Sequence, residues 1–404
     1  PYTHLTDGFD DQDNFFEVMP GEFLSGPLAK AWQTLNDNEA LRAVADKLVS
    51  LGNTAHEYLA GGEGADSKTP AVINQTMEFI DDSNQFFTFI NLMDAHLPYH
   101  PPKEFRDEFA PGVDSTEVCQ NSKEYNSGAR DIDDDEWEDI RGLYDAEIAH
   151  IDSQLTRLFD HLKETGRWDD TMVVVCADHG ELHGEHDLYG HEFCLYDPLV
   201  NVPLMVKHPK LEEDRREDQV ELIDLYHTVL DSVGVEGGTP ASAGDDVVAL
   251  DQTRSLVSGS YRQFKRANDP GQRGDGKYAF VEYSRPVVEL KQLEEKAKDA
   301  GITIPEQSRY YSRMRAARRR EAKYVRIDRI EDEAYRIDED PAETTNLADA
   351  DDELIQETEA MLSEFESAIG EAWDTADDAD VSDDAVQDMD EEAQERLRDL
   401  GYME

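Results

Sequence analysis

The chain is poor in cysteine and in positive charge, and it lacks any long apolar run. Its three cysteines, Cys119, Cys176 and Cys194, form no CxxC pair and no even set. A disulfide framework is therefore excluded, and reduced, intracellular thiols are the expected state. No stretch approaches the roughly 18 to 20 apolar residues of a membrane span, and no secretory leader opens the chain, so a cytoplasmic location is expected. The sequence begins at Pro1, in "PYTHLTDGFDDQDNFF", rather than at a methionine, which leaves secretion open. There is no internal repeat.

What the chain has in excess is carboxylate: 93 Asp and Glu against 38 Lys and Arg, a formal charge of −55. Such a surface repels nucleic acid and anionic lipid, and concentrated salt relieves its self-repulsion. The acidic residues run through every segment, which reads as a salt-adapted, halophilic protein rather than one with an acidic tail. At 404 residues and 38% hydrophobic content, there is material for two domains or one large one with an appendage.

Apolar spacing divides the chain. Residues 70–82 read as a helix with Thr69 as N-cap and Pro70 in the first turn, leading into "FFTFINLM", 86–93, a strand expected to be buried on both faces. Apolar residues every three to four positions from Ile140 to Leu162, followed by Gly166, mark a long helix. Residues 171–176 and 202–207 read as further buried strands, and 218–232 as an amphipathic helix. This alternation predicts an α/β domain over 1–255, with a mixed, largely parallel sheet flanked by helices. Beyond it, 277–284, 322–330 and 333–338 read as strands, the last two as a hairpin, with a basic helical piece at 310–322. These predict a smaller α+β domain over 256–350, followed by an acidic, helical or mobile tail over 351–404.

Two of the predicted strands run into polar clusters: "FFTFINLM" into Asp94 and His96, and "TMVVVC" into Asp178, His179 and Gly180. Ligands of open α/β sheets sit beyond the carboxyl ends of the strands, so both clusters are expected to converge on one crevice, with His191. An adjacent carboxylate and imidazole suit a divalent cation, but two donors do not close a site; a polar strand-end loop is the plain alternative. His183 and His186 could extend a zinc site around His179, and are favoured instead as exposed loop residues. His191 could simply pack beside Tyr189 and Phe193, and His96 could shape the turn before Pro98.

The blocks "FINLMDAHLPYHPP", "LYDAEIAHIDSQLTRLFDHL", "VVVCADHGELHGEHDLYGHEFCLYDPLVNVPLMVKHP", "ELIDLYHTVLDSVGV", "YRIDEDPAETTNLAD" and the closing "RLRDLGYME" resemble, in order, those of the sulfatase family within the alkaline-phosphatase-like superfamily. The resemblance implies a metal-dependent hydrolase of a small-molecule or glycan sulfate ester. It implies a divalent cation, calcium or in some members manganese or zinc, with Asp178 and His179 as metal ligands. It also implies His96 as the contact to the anion or leaving group, and His191 as the cationic contact to a peripheral oxygen. Phosphonate monoester or phosphodiester hydrolysis is the neighbouring alternative.

The family's nucleophile is a formylglycine made from Cys or Ser in C/S-x-P-x-R, and no such motif occurs in these residues. The early strand ending in an Asp pair is absent too. Both would lie upstream, on the order of 100 residues at about 30 per βαβ unit. The chain is thus expected to be an incomplete and inactive part of a longer sulfatase, or a non-catalytic, degenerate scaffold. Cys176 is expected to pack inside its strand as a small hydrophobe.

Overall fold

Asp133 starts the longest element among the described residues. Its carboxylate accepts the Glu136 N–H at 2.9 Å, a cap that contributes about 1 kcal/mol. Asp134, Asp135 and Glu136 in the first turn and His161 and Lys163 in the last complement the helix dipole. The computed structural model describes Phe9 and residues 67–216, 219–234, 251–258 and 278–369. The described elements separate into two compact units, one containing residues up to Gly166 together with Val287–Ile302, the other containing Arg167–Pro286 and residues from Thr303 on.

The first unit is helical among its described residues. It contains α1 (Thr69–Asp82), α2 (Lys103–Phe109), α3 (Ser122–Asn126), α4 (Asp134–Glu164) and α7 (Val287–Asp299). Trp137, Ile140, Leu143, Leu158 and Leu162 form the buried stripe of α4, each large aliphatic contributing about 1.5–3 kcal/mol on burial. Gly142 lets α2 approach closely, since a Cβ there would meet the Phe109 carbonyl oxygen at 2.8 Å. Gly166, with φ +71°, ends the pattern as its position after the helix predicted. Within the apolar stripe two polar residues, Glu147 and His150, are also buried.

The second unit holds β1 (Val173–Cys176), β2 (Leu182–His183), β3 (Tyr189–Gly190), α5 (Asp197–Val200), β4 (Leu204–Lys207) and α6 (Ile223–Ser232). It continues with β5 (Ala279–Tyr283), β6 (Met314–Arg318), β7 (Lys323–Ile327), β8 (Glu333–Tyr335) and α8 (Glu353–Ile369). The last four strands form one antiparallel sheet in the order β5-β6-β7-β8, with Val281 opposite Ala316 and Ala316 opposite Val325. Ala317, Tyr324 and Ala334 face α8 through Ile355, Leu362 and Phe365; on the other side Met314, Ala316, Val325 and Ile327 meet Leu195.

The mixed α/β architecture stands, and several local expectations are corrected. Every ladder among the described residues is antiparallel, β1 pairing with β4 from Val173 opposite Lys207 to Cys176 opposite Leu204. The chain between them returns through a β2–β3 hairpin and a short helix, and a parallel pairing would need a crossover. The pair is only partly covered among the described residues: Met205 is 61% exposed, and Cys176 is exposed at the strand end rather than packed.

Residues 86–93 carry no strand, and Phe87 and Phe89 are 58% and 68% exposed. Apolar content alone forms no ladder without a hydrogen-bonding neighbour. The basic piece at 310–322 is β6 and its approaches, not a helix, because its arginines are neutralised by partners distant in sequence: Arg315 by Glu282 and Arg318 by Asp197. The N-cap of α1 is Lys68, with Thr69 and Pro70 inside the first turn. The acidic stretch 371–395 and the closing 396–404 lie outside the described residues.

Candidate active site

The turn after β1 is held by close backbone contact. Gly180 N–H donates to the Leu199 carbonyl at 2.8 Å, and a Cβ at position 180 would sit 2.0 Å from the Pro198 carbonyl oxygen, so glycine is required by space. Asp197, next to Pro198, anchors this backing segment. Its carboxylate meets Arg318 Nη2 at 2.7 Å and Lys323 Nζ at 3.0 Å, and its N–H donates to Glu343 Oε2 at 2.6 Å. Burial pushes the Asp197 carboxyl up, but the hydrogen bonds and charges of Arg318 and Lys323 outweigh it and hold the group below its usual value. Lys323, fully buried on β7, also donates to the Leu195 carbonyl at 2.8 Å and pairs with Glu343.

On this support stand Asp178 and His179. The Asp178 side chain is 88% exposed, and its Oδ1 accepts the His179 N–H at 3.1 Å. His179 Nδ1 lies 2.8 Å from the Gly180 carbonyl oxygen. A carbonyl only accepts, so Nδ1 carries the proton and, in the neutral ring, Nε2 keeps its lone pair. That is the arrangement of a metal-ligating histidine fixed by a backbone acceptor. Nε2 is 3.9 Å from Asp178 Oδ2, so one cation could be addressed by both as two donors of a larger shell, and among the described residues no third His, Cys, Asp or Glu completes a metal-holding group with them.

His191 follows β3 and stacks on His179, ring centroids 4.4 Å apart at 29°. Its Nδ1 is 3.1 Å from buried Glu181 Oε1 and its Nε2 3.8 Å from Glu192 Oε1. The other two histidines of the segment depart from their expected exposure. His183 is buried, because it lies in the β2–β3 ladder opposite Tyr189. His186, at φ 56°, stacks on Tyr196 with centroids 3.5 Å apart at 9°. Burial and the nearby Arg309 lower its basicity.

Asp94 and His96 belong to the first unit. His96 Nδ1 is 2.6 Å from the Leu97 carbonyl oxygen, the same tautomer-fixing contact as in His179. Asp94 accepts a hydrogen bond from the Thr69 hydroxyl, and its charge, after burial, helps push the Glu147 carboxyl up to about 8. Glu147 was not legible as a site neighbour; the available signal was its place on the buried stripe of α4, between Leu143 and His150. Of the three cysteines, Cys119 and Cys194 are buried, and burial pushes the Cys194 thiol up to about 12, far from a nucleophile.

The sulfatase family model matches residues 6–235. Among individual relatives, a stretch of 119 residues is 36% identical to the multifunctional alkaline phosphatase superfamily protein PehA of Trinickia caryophylli, covering 28% of this chain and 22% of that one. Another of 206 residues is 26% identical to an arylsulfatase of Clostridium perfringens (strain 13 / Type A), covering 46% and 42%. The chain thus spans less than half the length of these relatives. In fold it is similar to the phosphonate monoester hydrolase of Agrobacterium radiobacter, with TM-score 0.52 and 19% identity over 75% of this chain and 60% of that one. With the family model covering more than half of its residues, the chain belongs to the sulfatase family.

Proposed function

We propose that the protein hydrolyses a small-molecule or glycan sulfate ester with a divalent cation, calcium, manganese or zinc, held in part by Asp178 and His179. The observation that carries this reading is the fixed tautomer of His179, whose Nδ1–H is committed to the Gly180 carbonyl 2.8 Å away, beside the open carboxylate of Asp178. When bound, the cation would polarise an oxygen of the transferring group. His191, oriented by Glu181, would bind a peripheral oxygen, and His96, through Nε2, would meet the leaving group; both would stabilise charge that builds during transfer. The nucleophile, a formylglycine, and further carboxylate ligands are proposed to come from a segment beyond these 404 residues. By itself this chain would bind the cation weakly, since a hard cation takes about six to eight ligands, and would turn over no ester.

The test is release of the anion from aryl sulfate, phosphodiester and phosphonate monoester substrates at high salt. It uses this chain and a version extended by the upstream coding sequence, each with and without chelator. Cation-dependent sulfate release by the extended version supports the reading. Release of phosphonate in preference to sulfate selects the neighbouring reading. A cation-independent reaction contradicts both.

A further inference from the structure

Two residues beyond His191 the backbone turns left-handed, at Phe193 with φ 70°, although that side chain is bulky and fully buried. A residue with a Cβ avoids this region because the Cβ crowds the following carbonyl oxygen, so the conformation persists only where the surroundings over-determine it. At Phe193 they act on both sides of the Cα. The ring packs edge-on against Tyr310, centroids 5.1 Å apart at 80°, and the N–H donates to the Tyr283 hydroxyl at 2.9 Å. A rigid element carries that hydroxyl: Tyr283 lies opposite Met314 in the β5–β6 ladder, and its side chain packs on the cluster of Leu195, Met314 and Val325. At the Phe193 carbonyl, Arg309 Nη1 adds a long contact of 3.5 Å, its guanidinium fixed by Glu333 at 2.7 Å.

We propose that Tyr283 is a positioning residue for His191, acting through the Glu192–Phe193 peptide. The inference rests on the proposed role of His191 as the contact to a peripheral oxygen. The Phe193 N–H lies in the plane of that peptide, and φ of Phe193 is the rotation that sets the plane against the core-anchored ring. An acceptor for the N–H therefore holds φ. The far edge of the plane is the Glu192 Cα, and one further peptide leads to His191. The side chains diverge across this turn. Phe193 goes to Tyr310, whereas His191 goes to Glu181, with Nδ1 3.1 Å from Oε1, and to the His179 ring, 4.4 Å between centroids. A return of Phe193 to a negative φ would swing His191 off Glu181 and His179, or pull the Phe193 ring out of the core. Glu181 thus orients the imidazole about its own side-chain bonds, and Tyr283 fixes where the backbone places it.

The test is nuclear magnetic resonance of the full chain, comparing wild type with Tyr283→Phe, which removes the acceptor and keeps the ring. Tyr324→Phe is the control, since it strips a hydroxyl from the same sheet, one that donates to Asp332 at 2.8 Å. Tyr283→Phe should speed exchange of the Phe193 amide about tenfold, the effect of one lost buried hydrogen bond, and should weaken the cross-peaks between the His179 and His191 rings. Tyr324→Phe should do neither. In the version extended by the upstream coding sequence, Tyr283→Phe should raise KM for an aryl sulfate about tenfold and leave kcat within about twofold, because a peripheral oxygen is held in substrate and transition state alike. A His179–His191 contact that keeps its full strength in Tyr283→Phe, or that weakens equally in Tyr324→Phe, would overturn the proposal. So would an unchanged KM in Tyr283→Phe where His191→Ala raises it. Undiminished turnover and unchanged KM in His191→Ala would instead overturn the role of His191 and leave the Tyr283 clamp standing.

Discussion

The carbonyl oxygen of Pro198 lies 2.0 Å from the point where a Cβ on Gly180 would be. The turn that carries Asp178 and His179 therefore rests directly on the start of α5. Gly180→Ala must push α5 away or swing the turn outward, at a cost of about 1–3 kcal/mol for overpacking. The expected result is a lowered urea midpoint together with loss of the His179–His191 stack, seen as a change in both ring signals.

Lys323 is the buried cation behind the same support. Lys323→Met leaves Asp197 and Glu343 buried with one positive partner fewer, and is expected to destabilise by about 3–5 kcal/mol. The double variant Lys323→Met/Glu343→Gln should recover part of that loss. Denaturant titration of the single and double variants checks this, and equal stability of wild type and Lys323→Met would contradict it.

Two carboxyl groups give stability opposite pH dependences. Asp197 is depressed in the folded protein, so its contribution is present above the ordinary carboxylate value and is lost as pH falls through the folded one. Glu147 is raised from 4.5 to about 8, so its contribution is complete below 4.5 and is lost as pH rises from there through about 8. Stability measured against pH should therefore decline on the acid side through Asp197 and toward alkaline pH through Glu147. Glu147→Gln should flatten only the alkaline decline.

The charge of −55 makes salt a structural variable. Raising ionic strength from about 0.1 M to about 1 M shortens the screening length from about 10 Å to about 3 Å and should raise the thermal midpoint. The proposed salt adaptation predicts a rise with potassium chloride and sodium chloride alike; a flat or falling midpoint would contradict it.

The parts of this protein legible in its sequence are those whose physics is local. The helix α4 announces itself through Ile140, Leu143, Leu158 and Leu162 at helical spacing and through Gly166 beyond its end. Asp178 and His179 stand out as polar residues directly after an apolar strand. The strand β6 was hidden because "RMRAARRR" reads as a basic helix until Asp197, Glu282 and Glu366, all distant in sequence, are seen to neutralise it. Glu147 was hidden for the complementary reason: one glutamate on a helix reads as a solvated charge, and only the fold shows it buried and accepting the His100 N–H. His183 and His186 were misjudged because the β2–β3 ladder and the Tyr196 ring, not local polarity, set their burial.

The most direct test of the central proposal, that Asp178 and His179 hold a divalent cation, is manganese-induced broadening of the histidine ring signals in the full chain. Substoichiometric manganese should broaden His179 first and His191, stacked 4.4 Å away, next, and should spare His186 on the Tyr196 ring. Asp178→Asn should weaken the effect. Uniform broadening of all the histidines, or selective broadening that survives Asp178→Asn unchanged, would contradict the metal assignment.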